Sequence, residues 1–191
     1  MFNLLYSAQK MAQLAMVKEA MNPSYIIDQL ENNQLVFQHL LQKKSKEESI
    51  WKPTSDQWNL LEIVCHLVDE EVHDFRARVK TALDQVNHPF YPIDLVGWVT
   101  ERKYNEQDYI SKVDEWLTER EHSIKWLRSL ENPNWSSTFN HVDFGPVSAR
   151  YFLDNWLAHD HLHIRQINRT KRAYLAHYSG EDLIYAGKWR D

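Results

Sequence analysis

Glycine and proline are scarce, at 4 and 6 among 191 residues. Sandwiches and barrels need a turn signal about every 8–12 residues, so this scarcity argues against an all-β fold and for long helices. Cysteine is scarcer still. The single thiol, Cys65, excludes an internal disulfide, a multi-cysteine zinc site and an iron–sulfur cluster, and agrees with a reducing cytoplasm. Positive charge is not in excess: 22 Lys and Arg against 27 Asp and Glu leave a net charge of −5. The basic residues are scattered, so the electrostatic footprint of a nucleic-acid binder is missing. No apolar stretch approaches the roughly 18 residues of a membrane-spanning helix. The first twenty residues carry Lys10 and Lys18 inside an apolar pattern rather than ahead of it, unlike a signal peptide. These absences predict a cytoplasmic protein that engages neither membrane nor nucleic acid, and 22.9 kDa suits one domain.

What the chain has instead is helical periodicity. Leu4, Leu5, Ala8, Met11, Ala15 and Met16 keep helical spacing but offer little branched or aromatic mass, so residues 1–21 read as an N-terminal helical extension. Asn22-Pro23 is a good helix start, since Asn caps the first amides and proline lacks only an N–H that would be unpaired there. The first helix carries Ile26, Ile27, Leu30, Phe37, Leu40 and Leu41, then gives way to a charged loop from Lys43 to Ser49. A second helix, capped at Ser55 or Asp56, repeats Leu60, Leu61, Val64, Leu67, Val68, Phe75 and Val79 up to about Leu83. Pro89 and Pro92 bracket a loop. A third helix presents Tyr109, Val113, Trp116, Leu117, Ile124 and Leu127 and ends before Asn132-Pro133. Trp135 to Gly145 lacks a helical period and reads as an ordered loop, after which Gly145-Pro146 opens a fourth helix from about Val147 to Tyr178. Four amphipathic helices with one long connection predict an all-α, up-down four-helix bundle over residues 22–180, with 181–191 as a short tail.

Ten histidines are the unusual component. His159 and His163, four apart on the fourth helix, differ by about 40° around its axis and can turn their imidazoles toward one ion, while His161 points away to the surface. Chance alone gives about half a pair at this spacing, so the pair needs a third ligand from another helix. His66 offers one, on a face shared with Asn59, Glu62, Glu70 and His73. That face is opposite the main apolar stripe of the second helix, which puts His66 either in solvent or in a cleft opening to that side. A di-iron carboxylate bundle is the competing metal chemistry, and Glu70-x-x-His73 with Glu119-x-x-His122 supplies half of its ligand set. The fourth helix has no glutamate between Val147 and Tyr178, and that excludes it.

Three segments carry a family resemblance. They are Trp51-Lys52-Pro53 through Asp56-Gln57-Trp58-Asn59-Leu60-Leu61-Glu62-Ile63-Val64-Cys65-His66-Leu67-Val68-Asp69-Glu70-Glu71, then Phe139-Asn140-His141 through Gly145-Pro146, then His159-Asp160-His161-Leu162-His163-Ile164-Arg165-Gln166-Ile167. In order and separation they resemble the DinB superfamily, including its YfiT-like members. The resemblance implies a four-helix bundle holding one divalent transition metal (Zn, Ni, Mn or Fe) through three histidines, here His66, His159 and His163. It further implies activation of a thiol or water, as in a thiol S-transferase or hydrolase acting on a small molecule such as a low-molecular-weight thiol.

Around such a centre, Glu70 lies one turn beyond His66, placed to bond a metal-bound water or to orient an imidazole. Gln166 and Asp160 are weaker candidates for the same supporting work. Trp58, Phe152 and Trp156 are candidate pocket walls, and Cys65 reads as core packing. Two further expectations stand beside the enzyme: a non-enzymatic, metal-stabilised binding module, and a homodimer formed through aromatic surface. Imidazole's ordinary pKa near 6.5 predicts that metal leaves on mild acidification.

Overall fold

The computed structural model describes residues 21–84, 97–141, 144–187 and 189. The expected N-terminal helix and the Pro89–Pro92 loop lie outside the described residues. Helix α1 spans Pro23–Leu41 and starts as its sequence predicts, with Asn22 Oδ1 accepting the Ser24 N–H at 3.0 Å. The charged loop after it holds a short helix, α2 (Lys46–Ile50), because Ser45 accepts the Glu48 N–H and caps it. Helix α3 (Leu60–Asp69) begins at Asn59 rather than at Ser55 or Asp56. Asn59 Oδ1 accepts the Glu62 N–H at 2.8 Å and Glu62 Oε2 accepts the Asn59 N–H at 3.0 Å, a reciprocal pair that satisfies two end donors at once. Asn59→Ala removes one half of it and is expected to cost about 1 kcal/mol, a fall of roughly 2–4 °C in a thermal melt.

Helix α3 passes through a π-turn, Glu70–Phe75, and continues as α4 (Arg76–Asp84). A short α5 (Gly97–Glu101) and a 3₁₀ turn (Tyr104–Glu106) lead to α6 (Tyr109–Ser129). The segment expected to be an ordered loop without regular structure of its own is a hairpin, β1 (Thr138–His141) paired antiparallel with β2 (Gly145–Ser148). The β-branched and aromatic pair Phe139 and Val147 lie opposite each other there, and Gly145 takes the left-handed φ of +68° beside the turn. Ser148 then caps α7 (Ala149–Tyr178), two residues later than expected.

Contacts set the helix directions. Tyr109 donates to the Leu41 carbonyl and Arg128 pairs with Asp28, so α6 runs antiparallel to α1. Arg120 pairs with Glu71 and Arg76 bonds Ser123, so α6 runs parallel to α3–α4. His66 meets His163 and Arg78 lies over Phe152, so α7 opposes α3–α4. Ile26 and Leu30 share a core with Leu153 and Trp156, whereas Phe37 and Leu41 share another with Ile167, which makes α7 parallel to α1. The four-helix bundle therefore runs up, down, down, up, and the long second connection is what returns the chain so that α3–α4 and α6 can lie parallel.

Every residue of α3 is buried, Glu62, His66 and Asp69 included. The polar face opposite the apolar stripe is not in water. Lys52 and Asn105 cover Glu62, while Arg102 and Tyr104 cover Asp69. The α7 histidines cover His66.

Candidate metal centre

His66 on α3 and His159 and His163 on α7 meet between antiparallel helices. Their ring nitrogens lie within 4.8 Å of one another, and among the described residues they form the one cluster able to hold a metal ion. The His159 Nε2 stands 3.0 Å from His163 Nε2 and 3.3 Å from His66 Nε2. Tetrahedral nitrogen ligands about 2.0–2.1 Å from zinc lie roughly 3.3 Å apart, so the spacing suits one ion.

Hydrogen bonding alone satisfies the trio poorly. Gln166 Oε1 can only accept, and at 2.7 Å it takes the proton of His163 Nδ1, which leaves His163 Nε2 bare in the neutral ring. His159 Nε2 has one proton at most, so one of its two close contacts stays unbonded. A cation in the middle satisfies all three lone pairs. The rings are also kept neutral: burial, then the charge of His163, lowers the His66 pKa to about 3. Burial followed by His163, His66 and Arg120 lowers that of His159 to about 2, and burial lowers that of His163.

The remaining candidate residues fall in different places. Trp58 is half-buried with its ring 5.0 Å from that of His66 and walls the trio on that side. Gln166 holds His163. Glu70 is buried with Oε1 lacking a hydrogen-bond partner, and burial together with Asp74 pushes its pKa well above the usual carboxylate range. At neutral pH it is a carboxylic acid bonded to Asp74, which itself pairs with Arg78, and no hydrogen bond links it to an imidazole. Phe152 lies two turns from His159, stacked on Phe139. Trp156 is fully buried, its N–H donating to Glu71 at 3.0 Å and its ring stacked on Phe75. Phe75 in turn packs 4.9 Å from the His159 ring, a contact its place in the apolar stripe does not announce. His161 is exposed, as its helical phase predicts. His122 is exposed too and Glu119 pairs with Arg76, so the di-iron set does not assemble. Burial pushes Cys65 up to about 12, which makes it an inert core thiol.

Asp160 is fully buried and bonds Arg120 and Asn33 rather than an imidazole. Its carboxylate turns into the bundle and takes two bonds from Arg120, at 2.7 and 2.8 Å, and one from Asn33 at 3.1 Å. Arg120 and its second partner Glu71 gave no signal in the histidine-centred reading of the sequence. Their signal is positional: all three charged residues occupy core-stripe positions of their helices.

Comparison by sequence with curated proteins finds no significant match. Among solved structures, the chain is similar to YfiT from Bacillus subtilis, described as a probable metal-dependent hydrolase with an unusual four-helix bundle topology. The superposition has a TM-score of 0.70 and covers 81% of this chain and 90% of that one, at 18% sequence identity, a likeness of fold. No described helix is long and apolar enough to cross a membrane. The DinB superfamily matches residues 29–167 of the 191, which takes in all three histidines: the chain belongs to the DinB superfamily.

Proposed function

We propose that His66, His159 and His163 hold one divalent transition-metal ion and that the centre serves a hydrolase or thiol S-transferase acting on a small molecule. The observation that carries this reading is the convergence of three Nε2 atoms on two buried rings, His66 and His163, and one half-buried ring, His159. Three protein ligands are also the donor count of catalytic sites, since structural zinc sites close with four, usually including cysteine. Bound there, the ion would supply Lewis acidity that lowers the pKa of a thiol or water brought to its open positions. The chain's own residues do the rest. Gln166 fixes the His163 tautomer, while Trp58 and Phe75 keep bulk water from the rings. The description of YfiT as a probable metal-dependent hydrolase supports the water-activating form of the reading.

Elemental analysis of protein purified without chelator or nickel resin tests the metal. About one transition-metal ion per chain is expected, with His66→Ala, His159→Ala and His163→Ala each losing it. In structural zinc sites about 10–16 kcal/mol is shared by four ligands, so one ligand accounts for roughly 3 kcal/mol, on the order of a hundredfold in affinity. His161→Ala should retain metal fully. A folded chain that stays metal-free when offered zinc, nickel, manganese and iron would overturn the assignment. A screen of low-molecular-weight thiols with electrophilic acceptors, run beside ester and amide substrates, separates transferase from hydrolase. Turnover of neither by metal-loaded protein would point to a binding module.

A further inference from the structure

We propose that Arg120 is a positioning residue for this centre, holding the helix segment that carries His159 and the π-turn beyond His66 in one fixed arrangement; the proposal rests on the metal reading above. Arg120 sits on α6, which contributes none of the three histidines, and it is 1% exposed. Its five N–H donors are all used. Nε and one terminal nitrogen grip the two oxygens of Glu71, both at 2.9 Å, and the two terminal nitrogens grip those of Asp160 at 2.7 and 2.8 Å. The last proton goes to the Leu30 carbonyl of α1 at 3.2 Å. One side chain thus ties together all four long helices of the bundle.

Two short routes lead from this guanidinium to His159. Asp160 is its neighbour in the chain, and a planar two-point grip on a carboxylate constrains both the rotation and the height of α7 at that point. Glu71 also accepts the Trp156 N–H, Trp156 stacks on Phe75, and Phe75 packs against the His159 ring. Glu71 is itself a residue of the π-turn Glu70–Phe75, a wider turn that buries both Glu70 and Glu71. Stability alone is a poor explanation for two carboxylates and one guanidinium in the middle of a bundle. Apolar residues of similar size usually serve a core as well or better, so the distinctive product of this array is geometry.

The test uses the full chain, with two variants. Arg120→Lys keeps the charge and loses the paired grip. The triple variant E71Q/R120M/D160N removes all three charges while leaving an oxygen for Trp156 and one for Asn33. Both are read for folding by circular dichroism and a cooperative melt, for the His159 ring by nuclear magnetic resonance of the metal-free protein, and for cobalt(II) by affinity and visible absorption. A folded variant is expected to show broadened or multiple His159 ring signals while those of His161 stay put. Its cobalt dissociation constant should rise about tenfold or more, within the range seen when residues supporting a ligand are removed, with an altered absorption band. A folded variant with parental ring signals and parental cobalt affinity would overturn the proposal, and either variant is sufficient to do so. Parental protein that binds no cobalt would sink the metal reading, and the ring signals of the metal-free variants would still decide the role of Arg120.

Discussion

Arg120→Met is expected to lower folding stability by about 3–5 kcal/mol, because it strands Glu71 and Asp160 as buried carboxylates with no cation between them. At roughly 2–4 °C per kcal/mol for a chain of this size, the melting temperature should fall by about 6–20 °C. The size of the effect comes from what is left behind. Glu71 and Asp160 are 2% and 0% exposed, so water cannot take over the bonds that Arg120 made. Neutralising the partners as well, in E71Q/R120M/D160N, should recover a large part of the loss, since no uncompensated charge then remains. Urea unfolding of the single and triple variants checks both halves. A single-variant loss under about 1 kcal/mol would show that the carboxylates find water or a proton at little cost in the folded chain, in conflict with their burial.

The array behind that prediction was legible in the sequence, though not through the histidines. On α6 the spacing Val113, Trp116, Arg120, Ile124, Leu127 places an arginine inside the apolar stripe. On α7 the spacing Leu153, Trp156, Asp160, Ile167 does the same for an aspartate, and along α3 and its π-turn the spacing Val64, Val68, Glu71, Phe75 does so for a glutamate. One positive and two negative residues at core positions of three helices are a complementary set, because a buried charge needs a partner. What helical phase left open was His66, in solvent or in a cleft. Phase shows only that one face of α3 is polar, and polar residues with matched partners bury as fully as leucine; Lys52, Asn105, Arg102 and Tyr104 supply those partners from distant segments. The hairpin at Thr138–Ser148 escaped because four-residue strands give too short a run for a period to show. The DinB-like segments pointed to His66, His159 and His163 without any of this, and one ring nitrogen of each lies within 4.8 Å of the others.

Burial also moves the pH at which the centre should fail. From imidazole's ordinary pKa near 6.5, metal should leave between pH 7 and 6. In the folded chain burial lowers His66 to about 3 and His159 to about 2, so at pH 5 those two rings are still neutral, and His163, also lowered by burial, is the one ligand left on which a proton can compete with the ion. The cost of acid falls on folding instead. Between pH 6.5 and about 3 the unfolded chain binds protons on these histidines that the folded chain does not, so stability is fully present above pH 6.5 and declines as pH falls through that window. At pH 5 the loss is roughly 2 kcal/mol for each such histidine. Metal-free protein should therefore melt progressively lower from pH 7 to pH 5. The gap between metal-loaded and metal-free melting temperatures, measured by calorimetry at fixed free zinc, should survive the fall from pH 7 to 6 and close only at lower pH, once His163 takes a proton. A gap that collapses between pH 7 and 6 would mean that the rings titrate as if in water, and that the trio is not the closed, neutral cluster built between α3 and α7.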